Sequence, residues 1–141
     1  PTLLGLCSGV VAGLVAVTPA SGFVGPAHAA LIGGAAGLVC YWGATGLKRL
    51  LRTDDSLDVF GVHGLGGLLG AVLTGWLAEP QVGGATGSVL AQLEAVGATA
   101  AYSALVTAAL LWLIDVLLGL RITADQERLG LDLAQHGERV E

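Results

Sequence analysis

One histidine, His63, lies inside an otherwise uncharged, glycine-rich apolar run that extends from Val59 to Ala78. At a rise of 1.5 Å per residue, ~20 helical residues span roughly 30 Å, the thickness of the hydrocarbon core of a bilayer. A titratable side chain at that depth is costly unless it faces a bundle interior, a partner or a water-lined path. The residues that helical spacing places in one lane are Val59, His63, Gly67, Gly70 and Thr74. The lane predicts a histidine that faces a groove nearly free of side chains, and it leaves two roles open: a hydrogen bond to a neighbouring helix, or a pore, proton or ligand function.

The composition is that of an integral membrane protein. Of the 141 residues, 54% are hydrophobic, only 12% are charged and 23 are glycine. Soluble domains typically carry about twice that charged fraction. No basic patch indicates binding to nucleic acid, and the formal net charge of −5 arises mostly in loops and the C-terminal segment. The chain begins at Pro1 and contains no methionine, so we expect it to be part of a longer protein or a processed chain.

Hydropathy divides the chain into four predicted membrane-spanning helices and a polar tail. The spans cover about residues 2–20, 27–47, 57–78 and 89–120, and the tail covers residues 121–141. The predicted fold class is therefore all-α, a polytopic transmembrane helical bundle with a soluble tail. In the first span, Gly5, Gly9 and Gly13 are spaced by four residues, which predicts a close approach of a neighbouring helix.

The distribution of positive charge predicts the orientation in the membrane. All six Lys and Arg residues lie in the second connection or in the tail, and the other two connections contain none. The positive-inside rule places such segments in the cytosol. We therefore expect a multi-pass protein of the cell (plasma) membrane whose two ends, including the C-terminus, are cytosolic.

Several polar residues lie at the predicted ends of the spans. The dipeptide Thr18-Pro19 predicts a kink or a helix end, where the threonine hydroxyl either satisfies a freed backbone group or faces a pathway. His28 begins the second span and is expected to be solvated at the membrane boundary. The acids and hydroxyls of residues 53–58 suit the N-cap and first turn of the third span. Asp115 is expected near an interface, where it is also able to bond a neighbouring helix.

With the spans and His63 in place, the sequence resembles the ammonium transporter (ammonia channel) family. The matching segments follow one another in family order and spacing and cover nearly the whole chain. They are Ala12-Gly-Leu-Val-Ala-Val-Thr-Pro-Ala20, Leu47-Lys-Arg-Leu-Leu-Arg52, Asp54-Asp-Ser-Leu-Asp-Val-Phe-Gly-Val-His-Gly64, Gly119-Leu-Arg121, Glu127-Arg-Leu-Gly-Leu-Asp132 and His136-Gly-Glu138. A single Gly-Val-His-Gly would be weak evidence, whereas the ordered set is specific.

The resemblance implies a particular architecture and pore. Family members have eleven spans per subunit and form trimers with one pore in each subunit, so this chain is similar to the last four spans plus the cytosolic tail. Their pore carries two hydrogen-bonded histidines, and His63 matches the second, while the first lies in an earlier span that this chain does not contain. The resemblance places Val59 near the inner part of the pore and Thr18 along its wall. Asp58 resembles the family's acidic residue at the cytosolic start of this span, with a structural role.

The tail also matches the family, and the match implies structural or regulatory roles for its residues. They are Gly130, Asp132, His136, Gly137 and Glu138. Family tails help couple the subunits and can receive signalling proteins of the PII type. The chain ends Gly137-Glu-Arg-Val-Glu141, where the family usually shows an alanine-tyrosine pair, and this departure bears on regulatory docking rather than on transport.

These observations predict transport of ammonium or ammonia through a narrow hydrophobic pore, without enzymatic activity, cofactor or metal. Removing water from a whole charge is expensive, and imidazole nitrogens are able to accept or donate hydrogen bonds to ammonia and relay a proton near neutral pH. Two other classes stay open. One is a structural or assembly subunit of a membrane complex, and the other is a helix bundle that binds a b-type haem through His63, which needs a second axial ligand at similar depth.

Overall fold

The computed structural model describes residues 2–138, and every regular element within that part of the chain is helical. The longer helices are α1 (Leu3–Val17), α2 (Pro26–Trp42), α4 (Leu65–Leu77) and α6 (Val89–Leu118). The shorter helices are α3 (Lys48–Leu51), α5 (Pro80–Gly83) and α7 (Ala124–Leu129). A 3₁₀ turn covers Thr18–Ala20, and three π turns cover Gly43–Leu47, Phe60–Gly64 and Asp132–His136. The all-α prediction is confirmed.

Four helical segments among the described residues are long and apolar enough to cross a membrane. They are Leu3–Ala20, Pro26–Leu51, Phe60–Leu77 and Val89–Leu118. The second differs most from its predicted bounds, because the helix continues through the first π turn and α3 instead of ending at Leu47. It ends at Arg52, whose φ of 52° lies in the left-handed region that a helix cannot continue through. Part of the basic segment is therefore helical.

The described chain divides into two compact units, residues 1–98 and 99–141. In the first unit, α1, α2 and α4 pack against one another in pairs. Their shared core consists of small or medium side chains spaced by four residues along each helix. These residues are Ala12, Ala16, Ala20, Ile32, Ala36 and Cys40, with Val62 completing the cluster. Small side chains allow short distances between helix axes, which matters in lipid because apolar burial alone does not drive helices together there.

The close approach of α1 involves a different lane from the predicted one. Space is open where a Cβ on Gly9 would lie, and a Cβ on Gly13 would make only an ordinary 3.9 Å contact with the Cα of Gly33. The buried lane of α1 is instead its alanine lane. The glycines that determine helix spacing lie on α4, where a Cβ on Gly66 would lie 3.2 Å from Sγ of Cys40 and a Cβ on Gly70 would overlap the carbonyl oxygen of Ala16.

The lane predicted for the His63 helix is also divided by the structure. Gly70 and Thr74 are buried, and the Thr74 hydroxyl donates to the Gly70 carbonyl at 2.7 Å, so its polar group is satisfied inside the bundle. Val59 and His63 are exposed, and space is open beside Gly67. The prediction that all five share one groove was wrong, because α1 packs against α4 at Gly70, where a Cβ would overlap the Ala16 carbonyl. Val59 and His63 are on an exposed face, whereas Gly70 lies against α1 and Thr74 is buried.

Replacement of Gly70 by alanine tests the close contact between α4 and α1. We expect Gly70→Ala to destabilise the protein by about 1–3 kcal/mol, the usual effect of overpacking, because the new methyl group meets backbone rather than a movable side chain. The matched control is Gly67→Ala on the same helix, where space is open and alanine is the better helix former. Thermal unfolding in detergent measures both variants. Equal midpoints for the two would contradict this packing.

Candidate functional site

His63 lies in the second π turn, whose sequence is Phe60-Gly-Val-His-Gly64. The N–H of Leu65 donates to the carbonyl of Phe60, five residues earlier, in place of the α-helical partner four residues earlier. Such a turn accommodates one more residue than an α-helical turn, and single π turns inside α-helices occur frequently at functional sites. Gly61 and Val62 are buried, and His63, the next residue, is exposed. The π turn thus places the imidazole on the open side of the span.

The start of this span is held by Asp55. Its carboxylate accepts hydrogen bonds from the backbone N–H groups of Val59 at 2.8 Å and Phe60 at 2.9 Å, which are otherwise unpaired at a helix N-terminus. Desolvation acts to raise the pKa of Asp55, but these N–H groups, that of Gly61 and the charge of Lys48 outweigh it, so the pKa is lowered. Of the acids at residues 53–58, Asp55 is the one that caps the helix.

Asp58 connects the same helix start to α3. Its Oδ1 lies 2.8 Å from Nζ of Lys48, and both side chains are partly buried. Its φ of 54° turns the chain sharply before the helix begins, and its carbonyl accepts from the N–H of Val62 at 2.8 Å. This geometry accounts for a structural role, as the sequence predicts for Asp58. The ion pair, Asp55 and the basic residues of α3 form what we call the basic end of the bundle.

Cys40 contacts the buried side of the π turn. Its Sγ lies 3.6 Å from the carbonyl oxygen of Val62, which is within hydrogen-bond distance for a thiol donor. The same carbonyl also accepts from the Leu65 N–H, so the thiol is its second donor. Cys40 thus contacts the residue directly before His63 on the face opposite the imidazole.

The remaining predicted pathway residues have distinct environments. Val59 is 51% exposed and precedes His63 by four residues, towards the basic end. Thr18 is the first residue of the 3₁₀ turn and is exposed. Its hydroxyl donates to the Leu14 carbonyl at 2.7 Å. The Leu14 carbonyl also accepts from the Thr18 N–H, so the hydroxyl is its second donor, and both roles that the sequence left open for Thr18 stay predictions. The 3₁₀ turn itself packs against α4, which brings Thr18 to the helix that carries His63.

A second polar cluster lies at the opposite end of the bundle, around Glu79. Its Oε1 accepts from the Gly25 N–H at 2.7 Å and lies 2.8 Å from Nδ1 of His28, and its own N–H donates to the Phe23 carbonyl at 2.8 Å. The Gly25 N–H, and then the His28 imidazole, lower the pKa of Glu79. His28 was expected to be solvated; its side chain is 37% exposed, and it is also bound to an acid 51 residues away, a contact that the sequence did not predict.

The second unit contains the predicted tail residues. Asp115 Oδ1 accepts from the Leu120 N–H at 3.2 Å, so this acid helps to end α6. Thr123 and Gln126 form a capping box at the start of α7. Gly130 and Gly137 have φ of 93° and 66°, values that favour glycine.

The predicted residues that follow α7 lie close together along the chain. His136 ends the third π turn, and the Asp132 carbonyl accepts from the Glu138 N–H at 3.1 Å. The departure from the family pattern at residues 139–141 lies outside the described residues.

Comparison with known proteins decides the family. The model of the Ammonium Transporter Family matches residues 1–141, the whole chain. The chain belongs to this family. It is 46% identical to an ammonium transporter of Aquifex aeolicus and 43% identical to one of Bacillus subtilis, in each case over 99% of this chain. It also superimposes on the crystal structure of Saccharomyces cerevisiae Mep2 with a TM-score of 0.81 at 41% identity, over 95% of this chain.

The chain spans about a third of the length of the relatives it matches. It covers 34% of the Aquifex aeolicus transporter, 37% of the Bacillus subtilis transporter and 33% of the Mep2 chain. Both the sequence match and the structural match extend over nearly all of this chain, so the family assignment applies to the membrane helices and the tail together.

Four supporting residues of this transporter family member were not identified from sequence: Lys48, Cys40, Glu79 and, as the specific cap, Asp55. Asp55 had a detectable signal, since an acid a few residues before an apolar run is typical of a helix N-terminus. The partners of the other three lie between 10 and 54 residues away along the chain. Spacing rules within one helix do not report such contacts.

The cap at Asp55 predicts a pH-dependent stability. Because its folded pKa is lowered, Asp55 stabilises the protein above its unfolded pKa of about 3.9, and this contribution disappears as the pH falls through the lower folded value. We expect Asp55→Asn to lower the unfolding midpoint by a few degrees at pH 7 and to differ little from the parent in strong acid. The exposed neighbour Asp54 supplies the control Asp54→Asn. A deficit that stayed constant with pH would contradict the cap.

The cluster at Glu79 predicts energetic coupling between two distant residues. We expect Glu79→Gln and His28→Ala each to lower the unfolding midpoint, and the double variant to lose less than the sum, because either change already breaks the shared contact. Thermal unfolding of the four proteins in one detergent measures the coupling. Additive losses would show that the two side chains act independently.

Proposed function

We propose that this chain forms one wall of a narrow transmembrane pathway for ammonium and that His63 is the polar group of that wall. The proposal rests on the exposure of the His63 side chain and on its lack of a hydrogen-bond partner among the described residues. It lies in an apolar span, is exposed, and its imidazole makes no hydrogen bond to any described residue between 2 and 138. An imidazole in that position needs a polar partner, a water-lined path or a substrate. The curated relatives are named ammonium transporters, which supports the substrate.

The chemistry of the substrate fits a histidine in an apolar passage. Ammonium carries a full positive charge, and removing its water in an apolar constriction has a large free-energy cost. Ammonia is neutral and both donates and accepts hydrogen bonds. A neutral imidazole offers one donor and one acceptor nitrogen, so it pairs with ammonia in either sense and holds or releases a proton near neutral pH. The pathway therefore carries ammonia and a separately moved proton, or the cation in net terms.

Each of the other pathway residues has a role that its environment supports. Val59 keeps the pathway apolar on the side of the basic end, four residues before the imidazole. Thr18 lies beside α4 with its hydroxyl hydrogen engaged by Leu14. Its oxygen lone pairs are then available as acceptors, which suits passing N–H groups. Under this proposal these residues line a passage and exchange hydrogen bonds with the substrate, and the substrate is transported without chemical change.

The proposal includes parts that this chain does not supply. The opposite wall, with the first histidine of the pore pair, comes from spans other than these four. The basic end and the tail face the cytosol of a cell with the transporter in its plasma membrane, because all the Lys and Arg residues lie there. Assembly as a homotrimer and docking of a PII-type protein at the tail, near Asp132 and His136, belong to the same proposal.

The haem alternative loses support from the position of His28. A b-type haem held by His63 needs a second axial ligand at a similar depth. His28 lies at the opposite end of the bundle from the basic end, and its Nδ1 is engaged by Glu79. A structural or assembly subunit remains the competing function, and a transport assay distinguishes it.

Substitution of His63 in the complete transporter tests the proposal. We expect His63→Ala to lower the ammonium-evoked current about tenfold, as the loss of roughly 1.4 kcal/mol of stabilisation at the barrier would do, or to alter selectivity, while the fold persists. Proteoliposomes on a solid-supported membrane measure the current after a jump in ammonium concentration.

A matched pair of substitutions serves as the control. His63→Gln is expected to impair conduction, and His28→Gln, which keeps a donor for Glu79, is expected to leave it near the parent value. Unchanged flux and selectivity in His63→Ala would overturn the pathway role of His63. A parent protein that gave no ammonium current would favour the assembly subunit instead.

A further inference from the structure

Two of the π turns cross each other inside the first unit. The first π turn, Gly43–Leu47, follows α2, and the second, Phe60–Gly64, precedes α4 and contains His63. The two turns contact each other, and the residues at the contact are Gly43 and Gly61, both buried. In each turn the closing N–H donates to a carbonyl five residues earlier, from Lys48 to Gly43 and from Leu65 to Phe60. Two π turns meeting at glycines is a specific arrangement, because π turns are rare.

The contact is between backbones. A Cβ on Gly61 would lie 2.7 Å from the Ala44 nitrogen and 2.9 Å from the carbonyl carbon of Gly43. A Cβ on Gly43 would lie 2.9 Å from the carbonyl oxygen of Gly61 and 2.6 Å from Cδ1 of Leu65. Backbone atoms in two helices cannot rotate away as a side chain does, so a methyl group at Gly61 has to separate the turns. Only glycine permits this crossing.

The other glycines of the two turns are under a weaker constraint. A Cβ on Gly64 would lie 3.0 Å from the ring of Phe60, and one on Gly46 would lie 2.8 Å from the ring of Trp42. These neighbours are side chains of the same helical segment, and they are able to shift. Gly43 and Gly61 therefore differ from the other glycines of these turns, because their contacts involve the backbone of the opposite turn.

The crossing determines which way His63 faces. Gly61 contacts Gly43 and Ala44, and Val62 is buried with its carbonyl near the Cys40 thiol. With residues 61 and 62 directed into the bundle, residue 63 is directed out of it. Asp55 accepts hydrogen bonds from the N–H groups of Val59 and Phe60, and the N–H of Gly61 also acts on its carboxylate, so Asp55 holds the start of the same turn.

We propose that Gly43 and Gly61 are positioning residues that hold the second π turn against the first and thereby direct His63 into the ammonium pathway. The proposal rests on the proposed function, because it assigns the direction of His63 a role in transport. A methyl group at Gly61 separates the two turns. The second π turn is then able to rewind as a regular α-helix, which rotates the imidazole of His63 away from the substrate pathway.

The test is a double-substitution cycle in the complete transporter. Ammonium-evoked currents are compared for the parent, Gly61→Ala, His63→Ala and the double variant, with pH profiles for the parent and Gly61→Ala. We expect Gly61→Ala to lower the current at least about fivefold, to shift the pH of half-maximal current, and to add little in the His63→Ala background, since it acts through that residue. Gly34→Ala on α2, where space is open in the structure, is the control and is expected to conduct like the parent.

A second variant covers the case in which Gly61→Ala does not fold. Gly43→Ala with Leu65→Ala removes the side-chain overlap and leaves the 2.9 Å contact with the Gly61 carbonyl, so it displaces the turn less. We expect the same changes at smaller size. Currents and pH profiles equal to the parent in the glycine variants, or a loss that is equally large with His63 absent, would overturn the positioning role. If His63→Ala itself conducts like the parent, the proposed function fails instead.

Discussion

The structure depends on contacts between helix backbones at glycine. Gly61 lies against the backbone of Gly43 and Ala44, and Gly70 lies against the Ala16 carbonyl, while Gly66 makes room for the Sγ of Cys40. In a bilayer, lipid tails are as apolar as the side chains, so helices associate through close packing and hydrogen bonds rather than through apolar burial. The alanine lane of α1 and the glycines of α4 supply that packing.

Polar groups are concentrated at the two ends of the helix that carries His63. At one end, Asp55 binds the first N–H groups of the span and Asp58 pairs with Lys48. At the other end, Glu79, which follows α4, accepts from the Gly25 N–H before α2 and binds His28. The interior of the span is thereby left apolar apart from the internally bonded hydroxyl of Thr74 and one imidazole. Under the proposed function, such a wall would disfavour a hydrated ion and provide a site for a substrate able to exchange hydrogen bonds and a proton.

Much of the fold was predictable from sequence because membrane spans follow from length and hydropathy. The four spans, the all-α class and the family all agree with the structure and the comparisons. The face on which each residue of the third span lies was not predictable, because a π turn leaves no distinctive residue pattern and shifts every position after it. In the structure Gly70 and Thr74 are buried and His63 is exposed. The pairing of His28 with Glu79 joins residues 51 positions apart, and α-helical spacing contains no information about it. The sequence therefore predicts a candidate residue, His63, whose pathway role stays a proposal, but it does not predict the geometry around it.

The most direct test is an experimental structure of the complete transporter in a lipid nanodisc, at a resolution that shows backbone carbonyls. The account predicts that Leu65 still bonds to the Phe60 carbonyl, that Gly43 and Gly61 remain in contact, and that His63 faces a polar side chain of another span across a narrow apolar passage. A continuous α-helix through residues 60–64, or a His63 that faces lipid, would contradict it.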